Sequence, residues 1–355
     1  MNHRPDVQAL RAFSICSLLG LHLVSWPSGG ALGVDVFFVV SGFLITTLLM
    51  REFTRTGRIS LRDFYARRAR RILPAAVLVI VVTSALSIVV FGWAALPWLT
   101  EHGFASLFFF ENWVLVGKGW DQTYLTDPYS PFQQYWSLSV EEQFYLVWPL
   151  LLISLLAVRR VAARRAVGAA LLVTIVLSLG SAASSRDLYV SYHATNDRAW
   201  QLAAGALLAV LGWQPVVTAN VRGLILGFAF AAIAGVLVTA DGPGVYPGRP
   251  ASVAVVGLTG MILVFGAGPT AGIGRLIAWR PVQYLGDLSY SLYLWNWPIL
   301  VLLFEWTDRT RRSVLFAGVL ILLVSVMSYH LVEQPIRRSN WLGRTRNDSR
   351  SDSIV

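Results

Sequence analysis

Charge and thiols are scarce in this chain. Of 355 residues only 14% are Asp, Glu, Lys or Arg, while 55% are hydrophobic. A soluble domain of that length needs far more charge to cover its surface, so the composition points to a polytopic membrane protein. A single cysteine, Cys16, excludes an intramolecular disulfide and leaves no cysteine-based metal pattern. Lysine is almost absent: Lys118 stands alone among 29 basic residues, so the formal charge of +10 is carried by arginine. On a membrane protein that excess reads as cytoplasmic-loop bias, not as a nucleic-acid footprint. There is no nucleotide P-loop, no HExxH and no GxSxG, which removes the ATPase, zincin and serine-hydrolase readings and any expected metal.

What the chain has in abundance is long apolar runs. Windows able to span a bilayer fall near 9–26, 31–50, 73–92, 143–158, 166–184, 197–212, 221–240, 251–268, 285–304 and 313–332. The expectation is an all-α polytopic membrane helical bundle of about ten transmembrane helices. Met1–Trp26 has the basic residue and apolar core of a signal peptide but no small-x-small cleavage site. It is therefore read as a retained first span. Residues 51–72 carry eight Arg against two acids, which places that loop in the cytoplasm. Arg159, Arg160, Arg164 and Arg165 place the end of the fourth span there too, as do Arg337, Arg338, Arg344, Arg346 and Arg350 for the C-terminal segment.

Parity follows from those anchors. Span three leaves the cytoplasm and span four returns, so the apolar segment 96–116 between them is expected not to cross. It reads as a re-entrant or interfacial segment. The loop 305–312, with Arg309, Arg311 and Arg312, falls outside against the charge rule, yet every longer loop agrees. Both termini are then cytoplasmic. The expected organisation is one membrane domain over 1–338 and a polar cytoplasmic tail over 339–355, expected to be disordered.

Ionisable residues inside spans mark pathways or reaction centres. Arg11 and His22 lie eleven residues apart in the first span, hence on one helix face and about 16 Å apart along its axis. Asp35, one turn into the second span, shares the depth of His22 across a short turn at Pro27–Gly30. A carboxylate beside an imidazole orients it and raises its basicity, which suits His22 to act as a general base on a hydroxyl with Asp35 as its partner. The plainer reading is a hydrogen bond between helices. Glu141 and Glu142 open the fourth span within WSLSVEEQFYLVWP; Ser137 or Ser139 capping the helix accounts for one acid and leaves the other for a site. Arg67, Arg68, Arg70 and Arg71 precede span three, with Pro74 placed in its first turn. Forked guanidinium contacts suit phosphate oxygens, although topology and anionic headgroups explain such a cluster equally well. Gly33, Ser41 and Gly42 in span two permit close helix contact. Ser289, Tyr290, Ser291, Tyr293 and Asn296 in span nine suggest a wet or protein-lined interior. His3, His102, His193 and His330 are read as structural or solvated.

Taken in order, Arg11-x10-His22, GVDVFFVVSGFLI, FYARRARRILP, WSLSVEEQFYLVWP, RAWQLAAGALLA, LSYSLYLWNWP and VEQPIRR resemble the membrane-bound acyltransferase 3 family of O-acyltransferases over 4–338. The resemblance implies about ten membrane helices and acyl transfer from cytoplasmic acyl-CoA to a hydroxyl, on a glycan, lipid, sugar or antibiotic acceptor. It carries Arg11 and His22 onto the family's essential pair, Arg68 and Arg71 onto its RxxR element, and Glu141 and Glu142 onto its acidic pair. Where the family usually has His in the penultimate motif this chain has Asn296, which hydrogen-bonds without transferring protons and leaves His22 as the base. The extracytoplasmic esterase-like domain fused to some members is expected to be absent.

The expected protein is thus an O-acyltransferase of a bacterial cytoplasmic (inner) membrane, taking acetyl from acetyl-CoA as donor substrate, with His22, Asp35, Glu141 and Glu142 catalytic and Arg11, Arg67, Arg68 and Arg71 on the donor. Its expected partners are that donor, a hydroxyl-bearing acceptor and membrane lipids. The rival readings are a glycan or lipid transporter or flippase, since buried ionisable residues also line translocation paths, and a non-catalytic relative that binds a glycan lipid. No inverted repeat or pair of broken helices favours transport.

Overall fold

The computed structural model describes residues 4–121, 130–157 and 160–339. The polar tail from Asn340 and the loop residue Arg159 lie outside the described residues. In chain order the helices are α1 (Pro5–Val24), α2 (Gly33–Thr56), α3 (Leu61–Phe91), α4 (Leu96–Leu107), α5 (Glu111–Asp121), α6 (Tyr135–Leu156), α7 (Arg160–Ser184), α8 (Leu188–His193), α9 (Thr195–Leu211), α10 (Ala219–Thr239), α11 (Pro250–Phe265), α12 (Gly274–Ile277), α13 (Arg280–Trp306), α14 (Arg311–Ser328) and α15 (Gln334–Arg338). No strand occurs among the described residues. Each of the ten apolar windows coincides with a helix, and seven helical segments are both long and apolar enough to cross a membrane. The protein is an all-α polytopic membrane protein. Leu146, Val147, Leu150, Val173, Val176, Leu177, Leu224, Phe228, Leu315 and Phe316 are exposed along those helices, as side chains facing acyl chains would be.

Within α3 the arginine run is already helical. Ser60 caps the helix by accepting from the Asp63 N–H at 3.3 Å, and helix-compatible Arg and Ala carry it on to Pro74. Pro74 therefore sits well inside the helix, not in its first turn as the sequence suggested. At 31 residues α3 is about 46 Å long, so its arginine-bearing turns extend beyond an apolar core of about 30 Å.

The segment 96–116 forms α4 and α5, of 12 and 11 residues, about 18 and 16 Å long. Neither reaches across a bilayer. Phe109, with φ 56°, breaks the chain between them, and Phe104 and Trp113 on the helices and Phe108 and Phe110 in the break are exposed, as an interfacial segment requires.

The chain divides into two compact units. The first comprises Met1–Arg4, Ser60–Ser139 and Leu288–Val355; the second comprises Pro5–Ile59 and Val140–Asp287. In a bilayer, lipid is as apolar as leucine, so helices associate through close packing and buried polar contacts. The second unit shows both. Leu10, Leu32, Val36, Val39, Trp200, Ile233, Val255 and Ile262 form its core. Where α2 crosses α9, a Cβ on Gly42 would strike the Leu202 carbonyl and one on Gly205 the Val39 carbonyl. The loop after α1 is pinned to the end of α10, Gly29 N–H donating to the Leu237 carbonyl at 2.8 Å.

The first unit is braced by side chains on backbone carbonyls. Tyr135 donates to Ala76 and Tyr290 to Ile72, both at 2.9 Å, and Tyr293 donates to Gln134 at 2.6 Å. Ser291 donates to buried Glu333 at 2.8 Å, in a π-helical turn at Tyr329–Glu333. The polarity of the penultimate motif is therefore protein-lined.

Candidate active site

His22 occupies the last turn of α1 and is half-buried. Arg11, three turns earlier, is buried, and its guanidinium donates to Gln8 Oε1 at 3.4 Å. Gln8 in turn donates to Asp287 Oδ1 at 2.8 Å, so Arg11 belongs to a polar chain inside the second unit. The helix thus carries both groups on one face, as the eleven-residue spacing predicts.

Asp35 departs from expectation. Its carboxylate is 1% exposed and engaged at both oxygens: Arg198 donates to Oδ1 at 2.7 Å and Ser252 to Oδ2 at 2.5 Å. Those bonds replace the expected pairing with His22. A guanidinium neutralises a fully buried carboxylate, which a neutral imidazole cannot do. Arg198 is itself fully buried, donates to the Tyr192 carbonyl at 2.8 Å and lies 4.4 Å from the Tyr192 ring centroid. Beside it, His193 of the short helix α8 bonds the Tyr189 carbonyl through Nδ1 at 2.8 Å; burial pushes its pKa down to about 3, keeping the ring neutral. Nothing in the local sequence marks Arg198 as the partner of a carboxylate 163 positions away.

Glu141 accepts hydrogen bonds from the Ser41 and Tyr145 hydroxyls, which also contact each other. One helical turn separates Glu141 from Tyr145, and α2 supplies Ser41, so a carboxylate and two hydroxyls converge within the second unit. Glu142 is half-buried on the adjacent helix direction. Neither nearby serine caps the helix: α6 begins at Tyr135, Ser139 bonds back to the Tyr135 carbonyl at 2.9 Å, and Ser137 meets the Tyr293 hydroxyl at 2.6 Å.

Arg67, Arg68 and Arg71 are half-buried on α3. Arg70 differs from them: it is 4% exposed and donates to the Ser339 carbonyl at 3.0 Å, tying α3 to the end of α15. Asn296 is fully buried, and its amide nitrogen donates to the Leu292 and Tyr293 carbonyls at 3.2 and 2.5 Å. That position is committed to its own helix. No cluster of three metal-ligating residues occurs among the described residues.

Sequence reading missed one pair. His102 Nδ1 lies 2.7 Å from Glu111 Oε1, with side chains 5% and 0% exposed. Burial pushes the Glu111 carboxyl up to about 7, opposed by its bond to His102. A His nine positions from a Glu, on two helices whose break is set by Phe109, has no periodicity to announce it.

No solved structure matches the chain. It is 30% identical over 362 residues to the peptidoglycan O-acetyltransferase OatA of Listeria monocytogenes, covering 95% of this chain and 56% of that protein. It is 31% identical over 356 residues to the O-acetyltransferase OatA of Staphylococcus aureus, covering 95% and 58%. The chain thus spans little more than half the length of these relatives. A family profile described as an acyltransferase domain matches residues 4–330. With that profile over nearly the whole chain, on a helical frame that carries Arg11 and His22 on one face of α1, the protein belongs to the acyltransferase 3 family.

Proposed function

We propose that the chain is an integral membrane O-acyltransferase that moves an acetyl group from acetyl-CoA to a hydroxyl of a glycan, with peptidoglycan strands the first acceptor to test. The observation that carries this reading is the family match together with relatives named as O-acetyltransferases of peptidoglycan. His22 takes the proton of the acceptor hydroxyl, the hydroxyl oxygen attacks the thioester carbonyl, and the CoA thiolate leaves and is protonated. Arg67, Arg68 and Arg71, half-buried on α3, serve the donor's phosphates, for which forked guanidinium contacts are suited, and Arg11 on α1 is assigned separately as a donor-side group. Glu141 holds the Ser41 and Tyr145 hydroxyls, and Ser41 Oγ is the place where a two-step relay would carry the acyl group. Glu142, beside it, completes the acidic pair. Asp35, bound by Arg198 and Ser252, contributes by fixing α2 against α9 and α11 at the depth of the base. The chain sits in a cytoplasmic membrane with both termini inside, an orientation supported by the arginine density of 51–72.

The test uses the full chain reconstituted in nanodiscs with radiolabelled acetyl-CoA and an N-acetylglucosamine oligosaccharide or peptidoglycan fragment. Acceptor-stimulated release of CoA with label recovered on the glycan supports the reading. Transport of a glycan without acyl transfer contradicts it.

A further inference from the structure

One end of the second unit carries an aromatic and cationic surface that the chemistry above does not use. The last turn of α1, with His22, lies at that end. Ser28, in the loop that follows, donates to the Ala240 carbonyl at 2.9 Å, where α10 stops and the segment 241–249 leads into α11. Gly248 lies tight against the end of α7, since a Cβ there would come within 2.9 Å of the Ala183 nitrogen. Tyr246 of this segment meets Tyr192 of α8 edge to face, with ring centroids 5.6 Å apart. The Arg249 N–H donates to the Tyr246 carbonyl at 3.2 Å, and Ser252, one turn further on, donates to Asp35.

Tyr192, Tyr246 and Arg249 are half-buried, so part of each side chain meets solvent. Tyrosines at span ends ordinarily sit among lipid headgroups. These two meet each other instead, and Tyr192 also packs against Arg198, whose guanidinium lies 4.4 Å from the ring centroid. The Tyr246 hydroxyl and the Arg249 guanidinium have no hydrogen-bond or ion-pair partner among the described residues, and Arg249 Nε is shielded from solvent as well. The acids of the same loops do not neutralise it: Asp187 caps α8 by accepting from the Val190 N–H at 3.0 Å, and Asp241 is exposed. A partly desolvated, unpaired guanidinium is complementary to a carboxylate, which it can grip through two parallel bonds. Tyrosine offers an apolar ring with a hydroxyl handle, which suits the C–H face and the hydroxyls of a sugar. A phospholipid headgroup would satisfy the arginine but gives the rings no counterpart.

We infer that Tyr192, Tyr246 and Arg249 form a recognition surface for a carboxylate-bearing sugar, which, on the acyltransferase reading above, is part of the glycan acceptor. The tyrosine rings pack on the sugar, the Tyr246 hydroxyl bonds its hydroxyls, and Arg249 takes the carboxylate. Arg198, bonded to both the Tyr192 carbonyl and Asp35, ties this surface to the start of α2.

The experiment titrates the full chain, in phosphatidylcholine nanodiscs, with two tetrasaccharides by calorimetry. One alternates N-acetylglucosamine with N-acetylmuramic acid, whose lactyl ether carries a carboxylate; the other is neutral chitotetraose. The wild-type chain is expected to bind the acidic sugar about ten-fold more tightly, the worth of one charge-assisted contact. Arg249→Gln should erase that preference while leaving chitotetraose binding unchanged. Tyr246→Leu should weaken both sugars about five-fold and keep the preference. Both side chains are partly exposed, so neither change should lower the unfolding temperature. Equal wild-type binding of the two sugars, a preference that survives Arg249→Gln, or sugar binding untouched by Tyr246→Leu overturns the inference. So does a loss of bound phosphatidylglycerol in Arg249→Gln with glycan binding intact, which makes the surface a headgroup site. A chain with the expected sugar preference that never transfers acetyl overturns the acyltransferase reading alone.

Discussion

At the residue scale the decisive contrast is between Asp35 and Glu111, two carboxylates buried to the same degree and neutralised differently. Asp35 is held by Arg198, a cation at any accessible pH. Asp35→Asn leaves that guanidinium buried and uncompensated, which should cost about 3–5 kcal/mol. The expected result is a large fall in thermal midpoint in detergent. An unchanged midpoint with lost transfer would instead place Asp35 in the chemistry. Glu111 faces a histidine, His102, with Glu101 and Lys118 the next charges. Its carboxyl is raised from 4.5 to about 7, so the folded state binds the proton more tightly than the unfolded chain does. Stability from this group is fully present below about 4.5 and is lost as pH rises through about 7. Unfolding temperature should therefore fall over that window in the wild type and fall less in Glu111→Gln, read by a pH series of melts; parallel curves would contradict the assignment. Arg11 and His22 were legible because a helix turns a fixed angle per residue. Arg198 and the His102–Glu111 pair were not, because tertiary partners leave no local period.

At the scale of elements, each of the ten apolar windows lands on a helix, since lipid forces every span to satisfy its own backbone, and seven of the helical segments are long and apolar enough to cross. What they could not give was where helices touch. The α2–α9 crossing is set by Gly42 and Gly205, whose missing side chains let backbones meet, whereas Gly235 on α10 faces open space. Gly205→Ala should lower the thermal midpoint, since the neighbour is backbone and cannot yield, while Gly235→Ala should be neutral or slightly stabilising through helix propensity. Equal effects at the two sites would remove the crossing as a determinant. The start of α3 was misjudged because Pro74 looked like a helix opening, when a capping serine at Ser60 had already begun one.

At the scale of the molecule, topology rests on arginine density and on α4 and α5 being too short to cross. A cysteine introduced at Gly119 in a Cys16→Ser background should react with an impermeant maleimide added to intact cells, and labelling there only after permeabilisation would reverse the orientation. The central claim is chemical and sits on α1: His22 is the general base of acyl transfer. The most direct measurement is turnover of acetyl-CoA to a glycan acceptor by purified full-length His22→Ala beside Asn296→Ala, with CoA affinity and unfolding temperature recorded for both. A positioned base contributes about 10²–10⁴-fold in rate, so His22→Ala should fold and bind CoA normally yet lose transfer by that factor, while Asn296→Ala retains it. Near-normal turnover in His22→Ala, or its abolition by Asn296→Ala alone in a folded protein, would contradict the account.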